Sequence, residues 1–154
     1  MIAGLRTLGR FYKDKFKLAC QGHGGGGDGI HRTDFERAQY YYSRAVEKSN
    51  RADISALNDL GLLFYTAIEI KESNTEIHLF NEGELQLFRQ DARKLFNESL
   101  GVCADQQRAP YNLGLTFFSE KEYKKGYVIS RVPRRRRTGR CRQIERCPVI
   151  YNTI

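Results

Sequence analysis

The sequence predicts an all-α fold in which antiparallel helix pairs stack as a short α-α superhelix, or solenoid, followed by a disordered basic tail. The first observation is a repeated Leu-Gly pair with an aromatic residue three positions after the glycine. Its three copies are Leu8-Gly9 with Tyr12, Leu60-Gly61 with Phe64, and Leu113-Gly114 with Phe117. The second observation is a small, aromatic, small pattern that follows two of these copies. Its members are Ala38, Tyr42 and Ala45 in the first case and Ala92, Phe96 and Ser99 in the second.

Each pattern places its residues on one face of a helix. In the first copy, Leu5, Leu8 and Tyr12 are spaced at i, i+3 and i+7, which is the spacing of a single helical face. A glycine within a helix costs about 1 kcal/mol relative to alanine, so its repetition indicates a packing reason. Because Gly9 has no side chain, it allows a partner helix to approach closely. We expect the helix with the small, aromatic, small pattern to be that partner.

Together the two patterns resemble helices A and B of the tetratricopeptide repeat. Residues 29–45 also resemble the Sel-one-like relatives, which vary the loop between the two helices. Successive Leu-Gly pairs are 52 and 53 residues apart, compared with about 34 residues per tetratricopeptide unit, and the excess lies between helices A and B. The resemblance covers about residues 3–126. It implies a repeat domain over 1–127, with units at about 3–49, 53–102 and 105–127, the last incomplete, and a tail over 128–154.

The first unit begins with predicted helix 1A, about residues 2–18. A glycine-rich segment follows at 21–29, and three of its glycines are spaced as in a dinucleotide-binding fingerprint. That fingerprint requires a preceding β-strand, whereas a helical repeat precedes it here, so a flexible loop is favoured. Thr33 and Glu36 form a Thr-x-x-Glu capping box, which predicts the start of helix 1B.

The later units contain three further predicted helices: 2A over about 53–70, 2B over about 84–100, and 3A from about residue 105. Asp53 or Ser55 is the expected N-cap of helix 2A. The insert between 2A and 2B is polar apart from residues 77–80, which we expect to pack on the stack. Ser119 and Glu122 form a capping box for a helix 3B.

Helix 3B is not continued by the sequence. Gly126 takes the place of the expected alanine, and Pro133 is expected to break the helix. The last unit therefore lacks its partner helix, which leaves apolar surface on helix 3A exposed. We expect marginal stability or self-association through this surface.

The net charge is concentrated in the tail. Residues 131–146 contain eight arginines and one acidic residue, and they carry +7 of the chain's net charge of +8. One interpretation is a basic arm that binds nucleic acid or an import receptor through charge, with Arg134, Arg135, Arg136 and Arg137 as contacts. Another is a translated intron, because codons for Gly126 and the two following residues can spell a sequence that resembles a splice donor.

The family resemblance implies that the A helices line a concave groove that binds a peptide or a partner domain. The candidate groove residues are Arg6, Arg10 and Lys13 on helix 1A, Asn58 and Tyr65 on helix 2A, and Arg108, Tyr111 and Asn112 on helix 3A. The basic stripe of helix 1A can receive an acidic peptide, and the alternative is a solvated helix face. Some family members bind a peptide carboxylate through an asparagine at the position of Asn112, but only part of their basic set is present here.

Other classes of function have little support in the sequence. The four cysteines include no Cys-x-x-Cys pair, and the three histidines lack ligand spacing, so we expect no metal, no cofactor and no catalytic site. No apolar run approaches the length of a membrane span. Scattered cysteines favour a reducing compartment, so the expected location is the cytoplasm, or the nucleus if the arginine run is an import signal.

Overall fold

A computed structural model of the chain describes residues 1–22, 28–73 and 78–119, together with residues 125, 126 and 129. Over these residues the structure has five α-helices and no β-strand, so the all-α prediction is confirmed. The helices are α1 (Ile2–Gln21), α2 (Asp28–Lys48), α3 (Ile54–Ser73), α4 (Glu82–Val102) and α5 (Arg108–Phe118). No helix in these ranges has both the length and the apolar character needed to cross a membrane.

The helices α1 and α2 form the first antiparallel pair. Gly9 on α1 lies against Tyr42 on α2, so closely that a Cβ atom at Gly9 would be 2.6 Å from the tyrosine ring. Further along α1, Phe16 contacts Phe35 on α2, with ring centroids 5.4 Å apart. These contacts advance along α1 while they go back along α2, so the two helices run in opposite directions.

The helices α3 and α4 repeat this arrangement. A Cβ atom at Gly61 would be 2.7 Å from the ring of Phe96, and Phe64 stacks on Phe88 with ring centroids 5.2 Å apart. In both units the glycine of the first helix therefore receives the central aromatic residue of the second. This confirms the predicted partnership between the two sequence patterns.

Successive pairs pack on one another. The second helix of each pair contacts the first helix of the next, α2 on α3 and α4 on α5, while α1 contacts α3 and α3 contacts α5. Aromatic rings fill the junction between the first two pairs; they belong to Phe16, Phe35, Phe64, Phe80 and Phe88. Leu79 and Phe80 come from the insert and are buried, as predicted. Ile77 of the same patch lies outside the described residues.

The start of α2 differs from the prediction. The helix begins at Asp28, so Thr33 and Glu36 lie within it and do not form its cap. Arg32, within this earlier part of the helix, donates from its guanidinium to the carbonyl oxygen of Leu79 at 3.1 Å and to Glu84 at 2.6 Å. These contacts join α2 to the segment before α4 and to the first turn of α4.

The starts of α3 and α4 have side-chain caps. Asp53 caps α3, as predicted, since its Oδ1 accepts hydrogen bonds from the amides of Ser55 and Ala56 at 2.8 and 3.0 Å. The helix α4 starts two residues earlier than expected. Asn81 and Glu84 form a reciprocal capping box there, each side chain accepting from the other's amide at 2.9 Å.

Gly126 has a packing role in the third unit. It is buried against α5, where an added Cβ atom would be 2.9 Å from the carbonyl oxygen of Gly114 and 3.1 Å from the ring of Phe118. Ile129 is also partly buried against the core. The glycine therefore permits a closer approach than the expected alanine would. Several sequence predictions lie outside the described residues: most of the glycine-rich segment, Glu122 of the third capping box, and the tail with its arginine run.

Candidate functional site

Side chains from three helices meet at one carboxylate, that of Asp59 on α3. The guanidinium of Arg6 on α1 pairs with Oδ2: its Nε donates a hydrogen bond at 3.0 Å, and its Nη2 lies 2.9 Å from the same oxygen. Arg108 on α5 donates from Nη2 to Oδ1 at 3.3 Å. The side chain of Asp59 is 5% exposed, whereas those of Arg6 and Arg108 are 23% and 51% exposed. A single buried carboxylate therefore links the first and third units through the second.

Two more cations of α1 lie around this ion pair. Lys13 is half-buried, and burial lowers its pKa below the usual 10.5. The charges of Asp14 and Asp59 act against that shift, while those of Arg10 and Arg108 act with it. These influences place Lys13 within the field of charges from all three helices. We call Arg6, Arg10, Lys13 and Arg108, with Asp59 at their centre, the cationic cluster.

The hydroxyl of Tyr42 lies within reach of the charges of the cationic cluster. It is fully buried and makes no hydrogen bond within the part of the chain that the structure describes. Burial raises the pKa of Tyr42 strongly, and the charge of Asp59 adds to the effect, while Arg10 and Arg6 oppose it. The phenol is therefore neutral across the physiological pH range and adds no negative charge to the cluster.

A second group of predicted residues lies on α3 and α5. Tyr65 is half-buried; burial raises its pKa, and the charges of Glu69 and Glu72 and the nearby Tyr111 add to this. Tyr111 is 58% exposed on α5. The surface formed by the first helices of the units thus has a cationic part around Asp59 and a part with two tyrosines and two carboxylates. A bound segment would meet different chemistry along its length.

Two predicted contact residues are buried instead. Asn58 is 1% exposed, and its Nδ2 donates to Ser99 Oγ at 2.8 Å and to Gln106 Oε1 at 2.9 Å. Because it joins α3, α4 and the turn before α5, the predicted groove role of Asn58 is wrong and its role is structural. Asn112 is 6% exposed, so its side chain is also absent from the open surface. Its Nδ2 has no hydrogen-bond partner in the described chain.

Sequence reasoning missed the residue that organises the site. Asp59 lies two positions before Gly61, on the same predicted helix as Asn58. The available signal was a carboxylate on a mostly apolar helix, together with the basic residues of α1 and Arg108 of α5, because a buried charge requires a partner of opposite charge. Arg6 and Arg108, both among the predicted groove residues, meet at Asp59, and their role in binding a partner stays a prediction.

The predicted nucleic-acid contacts lie outside the described residues; they are Arg134, Arg135, Arg136 and Arg137. Comparisons of the chain with protein-family models, with curated proteins and with solved structures find no match.

Proposed function

We propose that this chain is a protein-interaction scaffold whose cationic cluster binds an acidic segment of a partner protein. The observation that carries the proposal is the pairing of Arg6 and Arg108, from the first and third units, with the buried carboxylate of Asp59. Lys13 lies within reach of the charges of Asp59, Arg10 and Arg108. Stacked helical repeats use such extended surfaces for binding.

The charge balance of the cluster supports an anionic ligand. Asp59 has a carboxylate with two oxygens, and both are already engaged by Arg6 and Arg108. Arg10 is exposed and makes no ion pair with any described residue. Arg108 is half-exposed, so part of its planar guanidinium is open to a second acceptor. Arginine binds carboxylates through paired hydrogen bonds, which makes an acidic side chain or a chain terminus a suitable ligand.

The alternative function is nucleic-acid binding through the arginine-rich tail. Phosphates satisfy the same donors as carboxylates, so a charged probe alone would not distinguish the two sites. The two proposals differ in which arginine matters. Binding in the cluster depends on Arg10, whereas binding by the tail is insensitive to Arg10 and falls steeply with added salt.

The test is isothermal titration calorimetry, in which a decaglutamate peptide is titrated into the chain and the Kd is measured. We compare Arg10→Gln with Arg44→Gln, which removes the same charge from an exposed position on α2. Loss of one charge-assisted contact of about 1 kcal/mol predicts that Arg10→Gln weakens binding roughly threefold to tenfold. The control variant should bind like the parent chain. Equal effects of the two variants would assign the binding to overall charge or to the tail, and would refute the proposal.

A further inference from the structure

The outer side of the first helix pair has an exposed aromatic surface. It consists of Leu8, Phe11 and Tyr12 on α1 and of Arg37, Tyr40 and Tyr41 on α2, and we call it the end face. Phe11 and Tyr40 are 61% and 59% exposed. The rings of Phe11, Tyr12, Tyr41 and Tyr40 form a continuous row, with successive centroids 5.2, 5.6 and 5.4 Å apart. Exposed apolar side chains that adjoin one another are typical of an interaction site.

The leucine of the repeated Leu-Gly pair shows what the end face lacks. Leu60 and Leu113 are 7% and 5% exposed, but Leu8 is 44% exposed. The sequence predicts that Leu8 packs as its equivalents do, and in this structure that prediction is wrong. The difference is one of neighbours, since the second and third units each have a preceding pair and, among the described residues, the first has none.

The aromatic residue three positions after the glycine shows what kind of element covers this position in the second and third units. Phe64 contacts Phe35 on α2, with ring centroids 6.3 Å apart. Phe117 lies under the guanidinium of Arg93 on α4, whose carbon is 3.9 Å from the ring centroid. In both cases the second helix of the preceding pair covers the aromatic ring. Tyr12 is the equivalent residue of the first unit, and its described ring contacts are all within that unit. Tyr41 stacks on it with ring centroids 5.6 Å apart, Phe11 lies edge-on at 5.2 Å, and the guanidinium carbon of Arg37 is 5.5 Å from its centroid.

We propose that the end face binds an amphipathic helix of a partner protein, in the place that α2 has on α3 and α4 has on α5. The end face borders a shallow depression of about 510 Å³, lined by its own Tyr12, Arg37, Tyr40 and Tyr41 together with Thr33 and Glu36. Glu36 and Arg37 have opposite charges, so apolar fit and not net charge selects the ligand. A helix with an apolar stripe and an aromatic residue or an arginine over Tyr12 has the required chemistry.

The probe for this proposal is a synthetic peptide with the sequence of residues 81–102, the helix that covers Phe117, with its own capping box. It is added to the isotope-labelled full chain, and amide shifts are followed by NMR. We expect saturable shifts along residues 8–12 and 37–41. Replacing Arg93 in the peptide by alanine should weaken binding about twofold to fivefold, because an exposed cation–π contact contributes roughly 0.5–1 kcal/mol.

Variants of the chain separate the end face from other surfaces. The double variant Leu8→Ser/Phe11→Ser changes two exposed side chains and should weaken binding at least roughly tenfold through lost apolar contact. Leu87→Ser is the matched control, since Leu87 is 58% exposed on α4. Circular dichroism checks that all variants stay folded.

Three results would overturn the proposal. One is the absence of saturable shifts, or binding that the double variant does not weaken. Another is a set of shifts confined to α3, which would mean that the peptide has exchanged with α4. The third is concentration-dependent dimerisation of the free chain that the double variant abolishes, which would make a second copy the occupant of the end face. The experiment measures binding at the end face, which is separate from the cationic cluster. Its outcome therefore does not affect the proposal that the cluster binds an acidic segment.

Discussion

Substituting Gly9 by alanine tests whether the repeated glycine is there for helix contact. The added Cβ atom would lie 2.6 to 2.9 Å from three ring carbons of Tyr42, and that tyrosine is fully buried. Overpacking of this kind costs about 1–3 kcal/mol, while the better helix propensity of alanine returns up to about 1 kcal/mol. We therefore expect Gly9→Ala to lower the free energy of unfolding by up to roughly 2 kcal/mol.

The same helix offers a matched control. Gly4 also lies in α1, but a Cβ atom there would meet no atom within 4 Å. Gly4→Ala should therefore leave the unfolding free energy unchanged or raise it by up to about 1 kcal/mol. Urea unfolding followed by far-ultraviolet circular dichroism measures both variants, and for a chain of this size 1 kcal/mol corresponds to a shift of about 2–4 °C in Tm. If both alanine variants are stabilised equally, the close contact with Tyr42 does not constrain the fold and the argument from the repeated glycine fails.

Three further predictions concern the cationic cluster and the residues that support it. Asn58→Ala removes the buried amide that donates to Ser99 Oγ and to Gln106 Oε1, and it should cost about 1–3 kcal/mol in urea unfolding. A loss below the error of the measurement would contradict a structural role for Asn58. Asp59→Asn leaves Arg6 unpaired and should lower the unfolding free energy by about 1–2 kcal/mol, an effect that added salt reduces; a salt-independent loss would point to packing instead. Burial lowers the pKa of Lys13 below its usual 10.5. Lys13 is therefore positively charged at a pH below this lowered pKa, and it loses the charge as the pH rises through that pKa. Decaglutamate affinity should therefore fall with rising pH in that range, and Lys13→Arg, which stays charged, should not show the fall.

The fold was largely predictable from the sequence because its determinants are local and repeated. The Leu-Gly pairs and the small, aromatic, small patterns each specify one helix face, and their combination specifies which helices pair. The contacts of Gly9 with Tyr42 and of Gly61 with Phe96 agree with that prediction. The cap of α3 at Asp53 was also predictable, since it depends on neighbouring residues alone.

The errors arose where a distant contact decides the local structure. The helix α2 begins upstream of the Thr33 and Glu36 pattern, and Arg32 in that upstream part binds a carbonyl and a carboxylate about fifty residues away. Asn58 is on a predicted groove face, but Ser99 and Gln106 draw it into a buried network. The exposure of Leu8 depends on which helices pack beside α1 among the described residues, and the pattern of its own helix does not contain this information. Single-helix periodicity carries no information about these partners.

The position of Asp59 couples the proposed binding function to the integrity of the stack. Its carboxylate is held by Arg6 from the first unit and by Arg108 from the third, while Asp59 itself belongs to the second. The complete cationic cluster therefore forms only when all three units are packed together, and separation of any one unit removes part of it. A ligand that binds the complete cluster and not its separated parts stabilises the stack by RT ln(1 + [L]/Kd), which is about 2.7 kcal/mol at a ligand concentration of one hundred times Kd. An acidic partner would thus stabilise the packing of the three units, since the stability of a stack of helix pairs depends on contacts between neighbouring units. On this argument decaglutamate should raise Tm in the parent chain, and it should do so less in Arg10→Gln, which keeps the stack but loses one ligand contact.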